Sequence, residues 1–218
     1  MIPENLIALS EDIERWAQVA AFRSSDDIPR LRRQPGWLPE FTPESVAERR
    51  EQLALLRARL SEVSVPEDDI APAVDARLLG SVLDRVEWDL DVLRNWERDA
   101  VFLVGQIIGP WFDLLLPRPP FSADVENGLV TVAASIPERV AQATRNLERA
   151  GVGDLARAAA VELHAIDRRF AESVEALSGV VSDETLGRLR ELAPAAGEAL
   201  AGPVLQGDQT FLGDDPPD

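Results

Sequence analysis

The sequence predicts an all-α protein, an irregular bundle of about seven to eight helices with one proline-rich extended strap. Three observations support this fold class. Apolar residues recur three and four positions apart through most of the chain, which is the spacing of one helix face. Clusters of proline and glycine separate these stretches. The one β-branched run, Leu129–Val132, has no partner strand in the sequence. We expect a single helical domain over residues 1–206, followed by an acidic, frayed tail over residues 207–218.

Composition excludes several classes of partner and site. The formal net charge is −17, and all 22 basic residues are arginine. Nucleic-acid backbones and anionic membrane surfaces repel such a chain, so we expect neither as a partner. With no cysteine, the chain has no disulfide and no thiolate metal site. No apolar run reaches the roughly 18 uncharged residues of a membrane span, and the N-terminus lacks the basic region of a secretory signal. We therefore predict a cytoplasmic protein.

The first helix is predicted over residues 4–23, where apolar residues follow one helix face. Four prolines and one glycine over residues 28–43 then predict the extended strap. We expect Trp37, Leu38 and Phe41 to anchor that strap on the core, because solvated linkers seldom carry such large apolar groups.

A second helix begins where Thr42 acts as N-cap and Pro43 takes the first helical position. Its apolar face comprises Val46, Leu53, Leu56, Leu60 and Val63. Residues 64–72 are predicted as a loop because they combine two prolines with three acidic residues.

The central stretch, residues 75–121, is the most apolar part of the chain and holds three of the five tryptophans. Its first helix should bury a stripe at spacings of three and four: Val74, Leu78, Val82, Val86, Leu90 and Leu93. A corner follows at residues 95–99. The second segment, residues 101–116, has no clean polar face and is placed in the centre of the bundle. Gly105 and Gly109 should allow another helix to approach closely, and Pro110 should kink the helix.

The last third of the chain predicts four further helices. Ser122 should cap a helix that ends near Ser135, and Pro137 should begin the next one. A long helix is predicted over residues 154–177 after Gly151 and Gly153. Its inward residues should be Leu155, Ala158, Val161, Ile166, Phe170, Val174 and Leu177. Ser182 should cap the last helix, which Pro194 should interrupt.

The side chains that catalysis usually requires are nearly absent. A hydrolytic zinc site takes about three protein ligands, usually with two His, and His164 is the sole histidine. Glu-x-x-His pairs of di-iron bundles, a cysteine nucleophile, a Gly-x-Ser-x-Gly elbow and a phosphate-binding glycine loop are also missing. We therefore predict no catalytic residue, no metal ligand and no cofactor, and expect His164 at or near the surface.

One polar cluster remains as a candidate ligand site or structural corner: Arg94, Asn95, Trp96, Glu97 and Arg98. In the functional interpretation it lines a cleft in which Arg94 or Arg98 binds a carboxylate. In the structural interpretation, which we favour, Asn95 caps a helix end, Trp96 packs in the core and Glu97 pairs with arginine. Likewise we favour Trp88, Trp96, Trp111 and Phe112 as core residues over a ligand cage.

An ordered series of segments resembles one bacterial family, the domain of unknown function 885. The segments cover about residues 16–200: Ser25–Arg30, Pro35–Trp37, Asp75–Leu79, Trp88–Asp99, Gln106–Leu115, Ile136–Pro137 and Asn146–Leu147. The resemblance implies the helical N-terminal part of a longer protein. The C-terminal part of that family carries a His-Glu-Ala-x-Pro-Gly-His-type signature and looks like a zinc peptidase of the carboxypeptidase-like kind. This sequence lacks that signature, so none of the family's zinc ligands can be assigned here.

Two hypotheses follow. In the first, the chain is a non-catalytic helical domain equivalent to the family's N-terminal part. It acts as a scaffold or partner subunit, as a homodimer or with a chain that supplies the missing half, and leaves apolar surface exposed. In the alternative, it is a small-molecule-binding protein or metal-free enzyme with a pocket in the helical core around Trp88, Trp96 and Trp111. We rank a metallohydrolase acting alone last.

Overall fold

A computed structural model describes residues 3–24, 33–64 and 69–202, and within these ranges the protein contains helices and connections but no strand. The predicted all-α class is confirmed. The described part of the chain includes no helix that is long and apolar enough to span a membrane. The helices are α1 (Glu4–Ala20), α2 (Pro43–Ser61), α3 (Ile70–Glu87), a π-helical segment (Trp88–Leu93), α4 (Asn95–Arg98), α5 (Ala100–Leu114), α6 (Ala123–Ala150), α7 (Gly153–Glu162), α8 (Ile166–Glu175) and α9 (Asp183–Leu200).

The chain divides into two compact units, Met1–Phe22 with Pro39–Arg94, and Arg23–Leu38 with Asn95–Asp218. The single domain predicted over residues 1–206 stays a prediction. Residues 28–32 of the predicted strap and the predicted tail, residues 207–218, lie outside the described residues. Residues 33–42 contain no helix, and Phe41 is buried.

In the first unit, α1, α2 and α3 pack around a common apolar cluster. Its buried members are Leu9, Ile13, Leu53, Leu56 and Leu83. The predicted cap of α2 is confirmed, since the Thr42 side chain accepts a hydrogen bond from the Ser45 backbone N–H at 3.0 Å. Arg49, on the same helix, is buried, and its guanidinium lies 4.9 Å from the Phe22 ring centre.

Helix α3 differs from its prediction in both its start and its buried face. It begins at Ile70, so Pro72 lies in the first turn, where a missing backbone N–H is tolerated. Val86 and Leu90 are buried as predicted, together with Leu83, but the first three residues of the predicted stripe are exposed: Val74, Leu78 and Val82. Two sides of α3 are apolar, and contact with α1 and α2 covers only one of them.

In the second unit, α5 is the central helix, as predicted. Ten of its fifteen residues are buried, and it contacts α4, α6 and α7. The helix continues through Pro110. The predicted close helix approach at Gly105 and Gly109 is wrong. A methyl group at Gly105 would meet nothing within 4 Å, and one at Gly109 would collide with the Arg23 side chain at 2.4 Å.

Helices α6 and α9 also run through their prolines, so the predicted break before Pro137 and the interruption at Pro194 are wrong. An internal proline removes one backbone hydrogen bond, a penalty that packing can outweigh. The buried face of α6 stays in phase on both sides of Pro137: Leu129, Val132, Ile136, Val140, Ala143 and Leu147. The predicted caps Ser122 and Ser182 are confirmed, since each accepts a backbone N–H three residues on, at 3.3 Å.

The single helix predicted over residues 154–177 is two helices, α7 and α8. Ala165 separates them in the left-handed conformation, with φ of 50°. Because of this break, the buried face of α7 is not continuous with that of α8. Ile166, Phe170, Val174 and Leu177 are buried as predicted, whereas Ala158 and Val161 are exposed. The neighbours Ala156, Ala159 and Leu163 are buried instead.

Candidate functional site

Of the five residues of the predicted corner, Arg94 to Arg98, only Trp96 is buried. Arg94, the last residue of the first unit, is exposed and has φ of 52°. In the second unit, Asn95 and Glu97 are half-buried, Arg98 is exposed and Trp96 is 5% exposed. Neither of the two cavities described below is lined by any of the five. The choice between a ligand site and a structural corner stays a prediction.

Asn146 ties α4 to α6 and has no exposed surface. Its Nδ2 donates to the Trp96 carbonyl at 2.8 Å. Its Oδ1 accepts from Gln142 Nε2 at 2.8 Å and from Arg149 Nη2 at 3.0 Å. A buried amide with both ends engaged fixes the geometry of its neighbours. Sequence reasoning assigned no such role to Asn146, and its only signal was a polar residue beside the buried face of α6.

The tryptophans of the central stretch occupy different environments. Trp111 is fully buried, and its ring lies 5.0 Å from the Phe170 ring at an interplanar angle of 51°. Trp88, in the π-helical segment, is 53% exposed. Neither described cavity is lined by Trp88, Trp96 or Trp111.

An exposed apolar row runs along α3, which we name the α3 stripe: Ile70, Val74, Leu78 and Val82. Their exposed fractions are 78%, 45%, 60% and 39%. The four residues are each four positions apart, so they lie along one side of the helix over about 18 Å. Arg77 and Arg85 are also exposed on this helix. The stripe belongs to the segment whose burial the sequence predicted wrongly.

A polar clamp holds the chain at Arg23 against α5. The Arg23 guanidinium donates two hydrogen bonds to the Asp113 carboxylate, both at 2.8 Å. Gln106, only 2% exposed, bonds the Arg23 backbone through both ends of its amide, also at 2.8 Å. Bidentate arginine–carboxylate pairs are among the stronger polar contacts in proteins. No sequence pattern predicted this clamp, because Arg23 and Asp113 are 90 positions apart.

A cavity of about 180 Å³ lies beside the end of the strap, and we name it the Trp37 cavity. The Arg33 guanidinium lies 3.8 Å from the centre of the Trp37 ring. Trp37 Nε1 is buried without a hydrogen-bond partner among the described residues. The lining residues are Arg33, Gln34, Pro35, Gly36, Trp37, Pro110, Asp113, Leu114, Pro117 and Val125.

A larger open groove, about 1030 Å³, follows α8 and α9. Its floor includes Ala171, Val174 and Ala193. At its edge Arg190 forms a bidentate pair with Glu175, at 2.7 and 2.6 Å. The hydrogen bond from Arg190 holds the pKa of Glu175 below its ordinary value.

Potential metal ligands do not converge in the described part of the chain, where no group of three His, Asp or Glu side chains could hold an ion. His164 is exposed between α7 and α8. No family model, no curated protein and no solved structure matches the chain. The resemblance to the domain of unknown function 885 therefore stays a prediction.

Proposed function

We propose that this chain is a non-catalytic helical domain equivalent to the N-terminal part of the zinc-peptidase-like family, and that it serves as a scaffold or partner subunit. The α3 stripe is the observation that supports this function. A domain whose relatives pack against a second half should expose apolar surface where that half is missing. The acidic, cysteine-free composition supports a cytoplasmic location, and the net charge of −17 argues against nucleic acid as a partner.

The stripe has the form of a helix-binding surface. Fully burying a Val, Leu or Ile side chain contributes about 1.5–3 kcal/mol, so covering four such residues is a substantial driving force. A row with a repeat of four fits an apolar helix face or groove of similar length. The occupant we propose is a chain that supplies the missing half of the family's architecture.

The proposed non-catalytic role is based on the amino-acid composition. One histidine and no cysteine leave too few of the usual ligands for a zinc site. The zinc-binding residues would therefore lie outside this sequence, on the polypeptide that covers the stripe.

A mass measurement combined with a stripe variant tests the proposal. The purified chain should be a monomer by multi-angle light scattering and should bind the apolar dye ANS. The variant Leu78→Glu should lose most of the dye fluorescence with unchanged circular dichroism. The matched control is Leu55→Glu, because Leu55 is a leucine of α2, outside the stripe, with similar exposure, 66%.

Three other outcomes are informative. A dimer that Leu78→Glu dissociates would assign the stripe to a homodimer and contradict a separate partner chain. Equal dye binding by both variants would show that the stripe is not the exposed apolar surface. Stoichiometric, tightly bound zinc in the purified chain would contradict the non-catalytic role.

The alternative function is binding of a small molecule. The groove along α8 and α9 and the Trp37 cavity favour it, although neither lies at the tryptophans on which the sequence based this hypothesis. The groove offers an apolar floor beside a charged edge, a combination typical of ligand sites. A thermal-shift screen of metabolites in which no compound raises the melting temperature would remove this alternative.

A further inference from the structure

We propose that two arginines of α6, Arg145 and Arg149, form a binding site for the phosphate group of a small phosphate monoester. We name these two residues the arginine pair. They are four positions apart on the helix, and both are exposed. The site lies within the second unit and is independent of the α3 stripe and of the proposed partner chain.

The arginine pair is hydrogen-bonded to neutral groups instead of carboxylates. Arg145 Nη2 donates to the side-chain oxygen of Gln142 at 2.5 Å, and Arg149 Nη2 donates to that of Asn146 at 3.0 Å. Neither guanidinium pairs with an acidic side chain in the described part of the chain. Because an amide oxygen carries no formal charge, both guanidiniums keep their full positive charge.

The two amides hold the arginine pair in place. Gln142 Nε2 donates to Asn146 Oδ1 at 2.8 Å, so the acceptors of the two guanidiniums are bonded to each other. Asn146 has no exposed surface, and its Nδ2 donates to the Trp96 carbonyl of α4 at 2.8 Å. The support of the site is therefore buried and fixed between two helices. A preformed site loses little free energy to ordering when a ligand binds.

The geometry and charge of the pair fit one phosphate group. Side chains four apart on a helix have Cβ atoms about 5–6 Å apart, so one small anion can contact both guanidiniums. Each guanidinium has five N–H groups and uses one of them here. A phosphate monoester carries about −1.5 to −2 charges at pH 7 and offers three acceptor oxygens. It would match both cations and remove their mutual repulsion, whereas a carboxylate would neutralise only one.

The net charge of −17 does not prevent such binding, because the interaction is local. Charges are screened over about 8 Å at physiological salt. Along α6 the nearest acidic residues are Glu138 and Glu148, and neither pairs with Arg145 or Arg149. Glu138 is about 10 Å from Arg145 along the axis, and Glu148 is rotated by about 100° from Arg149. Helix α7 begins three residues after α6 ends, so the opposite dipoles of these two ends offset each other.

The test uses the full chain and two probes with the same ring and a tetrahedral head. Phenyl phosphate is nearly a dianion at pH 7, and benzenesulfonate is a monoanion. An NMR titration at low salt should show phenyl phosphate binding at least about tenfold more tightly. The double variant Arg145→Gln/Arg149→Gln should weaken its binding by about tenfold or more. The matched control, Arg77→Gln/Arg188→Gln, removes two exposed arginines elsewhere and should change it by less than about twofold.

The arginine side chains of the unmodified protein give a second measurement. Phenyl phosphate should shift the ¹H–¹⁵N signals of the Nε–H groups of Arg145 and Arg149 and leave those of Arg77 and Arg188 in place. Inorganic phosphate should compete with phenyl phosphate, because the site recognises the phosphate group and not the ring. Equal weakening by the two double variants, equally tight binding of benzenesulfonate, or no competition by inorganic phosphate would overturn the proposal.

Discussion

Helices α3 and α5 are both rich in apolar residues, yet the protein uses them in opposite ways. Ten of the fifteen residues of α5 are buried, against three of the eighteen in α3. The two helices differ in burial because different numbers of helices pack against them. Helix α5 contacts α4, α6 and α7, and its Trp111 also packs on Phe170 of α8, whereas α1 and α2 leave one apolar side of α3 uncovered. An apolar sequence can therefore form a helix without specifying which of its faces will be covered.

The largest expected difference in stability is between substitutions of two neighbouring aromatic residues of α5. Trp111→Ala should lower the free energy of unfolding by about 3–5 kcal/mol, because a fully buried ring that packs on Phe170 leaves a large cavity. Urea unfolding followed by circular dichroism measures this loss. Its neighbour Phe112 is 53% exposed, so Phe112→Ala should change stability by less than about 1 kcal/mol. Equal losses in the two variants would show that α5 is not the core helix of this unit.

The same comparison can be made within α3. Leu83 has no exposed surface, so Leu83→Ala should cost about 2–5 kcal/mol in the same unfolding measurement. Leu78, five residues earlier, is 60% exposed, and Leu78→Ala should change stability by no more than about 0.5 kcal/mol. A large loss at Leu78 would mean that the stripe is already covered in the isolated protein.

A titration tests the contact between α6 and the start of α9. Hydrogen bonds from Ser182, at 2.6 Å, and Thr185, at 2.7 Å, hold the pKa of Glu126 below its ordinary value. A lowered folded-state pKa adds stability above the unfolded value of about 4.3, and that stability is lost as pH falls through the folded pKa. Glu126→Gln should therefore be less stable than the unmodified protein at pH 7, and the gap should close below about pH 4.

Melting temperatures at pH 7, 5, 4 and 3 measure that gap. Glu148→Gln, at the exposed end of the same helix, is the control and should follow the unmodified protein at every pH. A gap between Glu126→Gln and the unmodified protein that persists unchanged at pH 3 would contradict the hydrogen-bond assignment.

The smallest expected change in the free energy of unfolding comes from replacing either of two glycines of α5 by alanine. Gly105→Ala should raise the free energy of unfolding by about 0.5–1 kcal/mol, because alanine favours the helix and a methyl group there meets nothing within 4 Å. Gly109→Ala should lower it instead, since the methyl group collides with the Arg23 side chain and disturbs its pair with Asp113. Chemical unfolding of both variants gives the two signs, and a shared sign would contradict this account of the helix.

Sequence patterns predicted local features well and long-range features poorly. The caps Thr42, Ser122 and Ser182 were predicted correctly, because a cap depends on residues three positions apart. The breaks at Pro137 and Pro194 were wrong, because packing of a continuous buried face outweighs one missing backbone bond. Nothing local marked the turn at Ala165, a residue type that rarely adopts a positive φ.

The candidate sites show the same limit. The corner of Arg94 to Arg98 could be identified because its residues are consecutive. The clamp of Arg23, Gln106 and Asp113 could not, since its partners are 83 and 90 positions apart. The Trp37 cavity likewise combines the strap with residues of α5 and α6. A single sequence carries no record of such distant pairs.

The sequence by itself determined that this protein is helical, acidic and free of cysteine, and that it has a single histidine. Those properties depend on composition and on spacings of three and four residues, which the chain carries locally. Only the tertiary structure decided which face of α3 is covered, which prolines the helices tolerate, and where a cavity with an unsatisfied indole forms. These depend on contacts between residues far apart in sequence, where packing outweighs local preference.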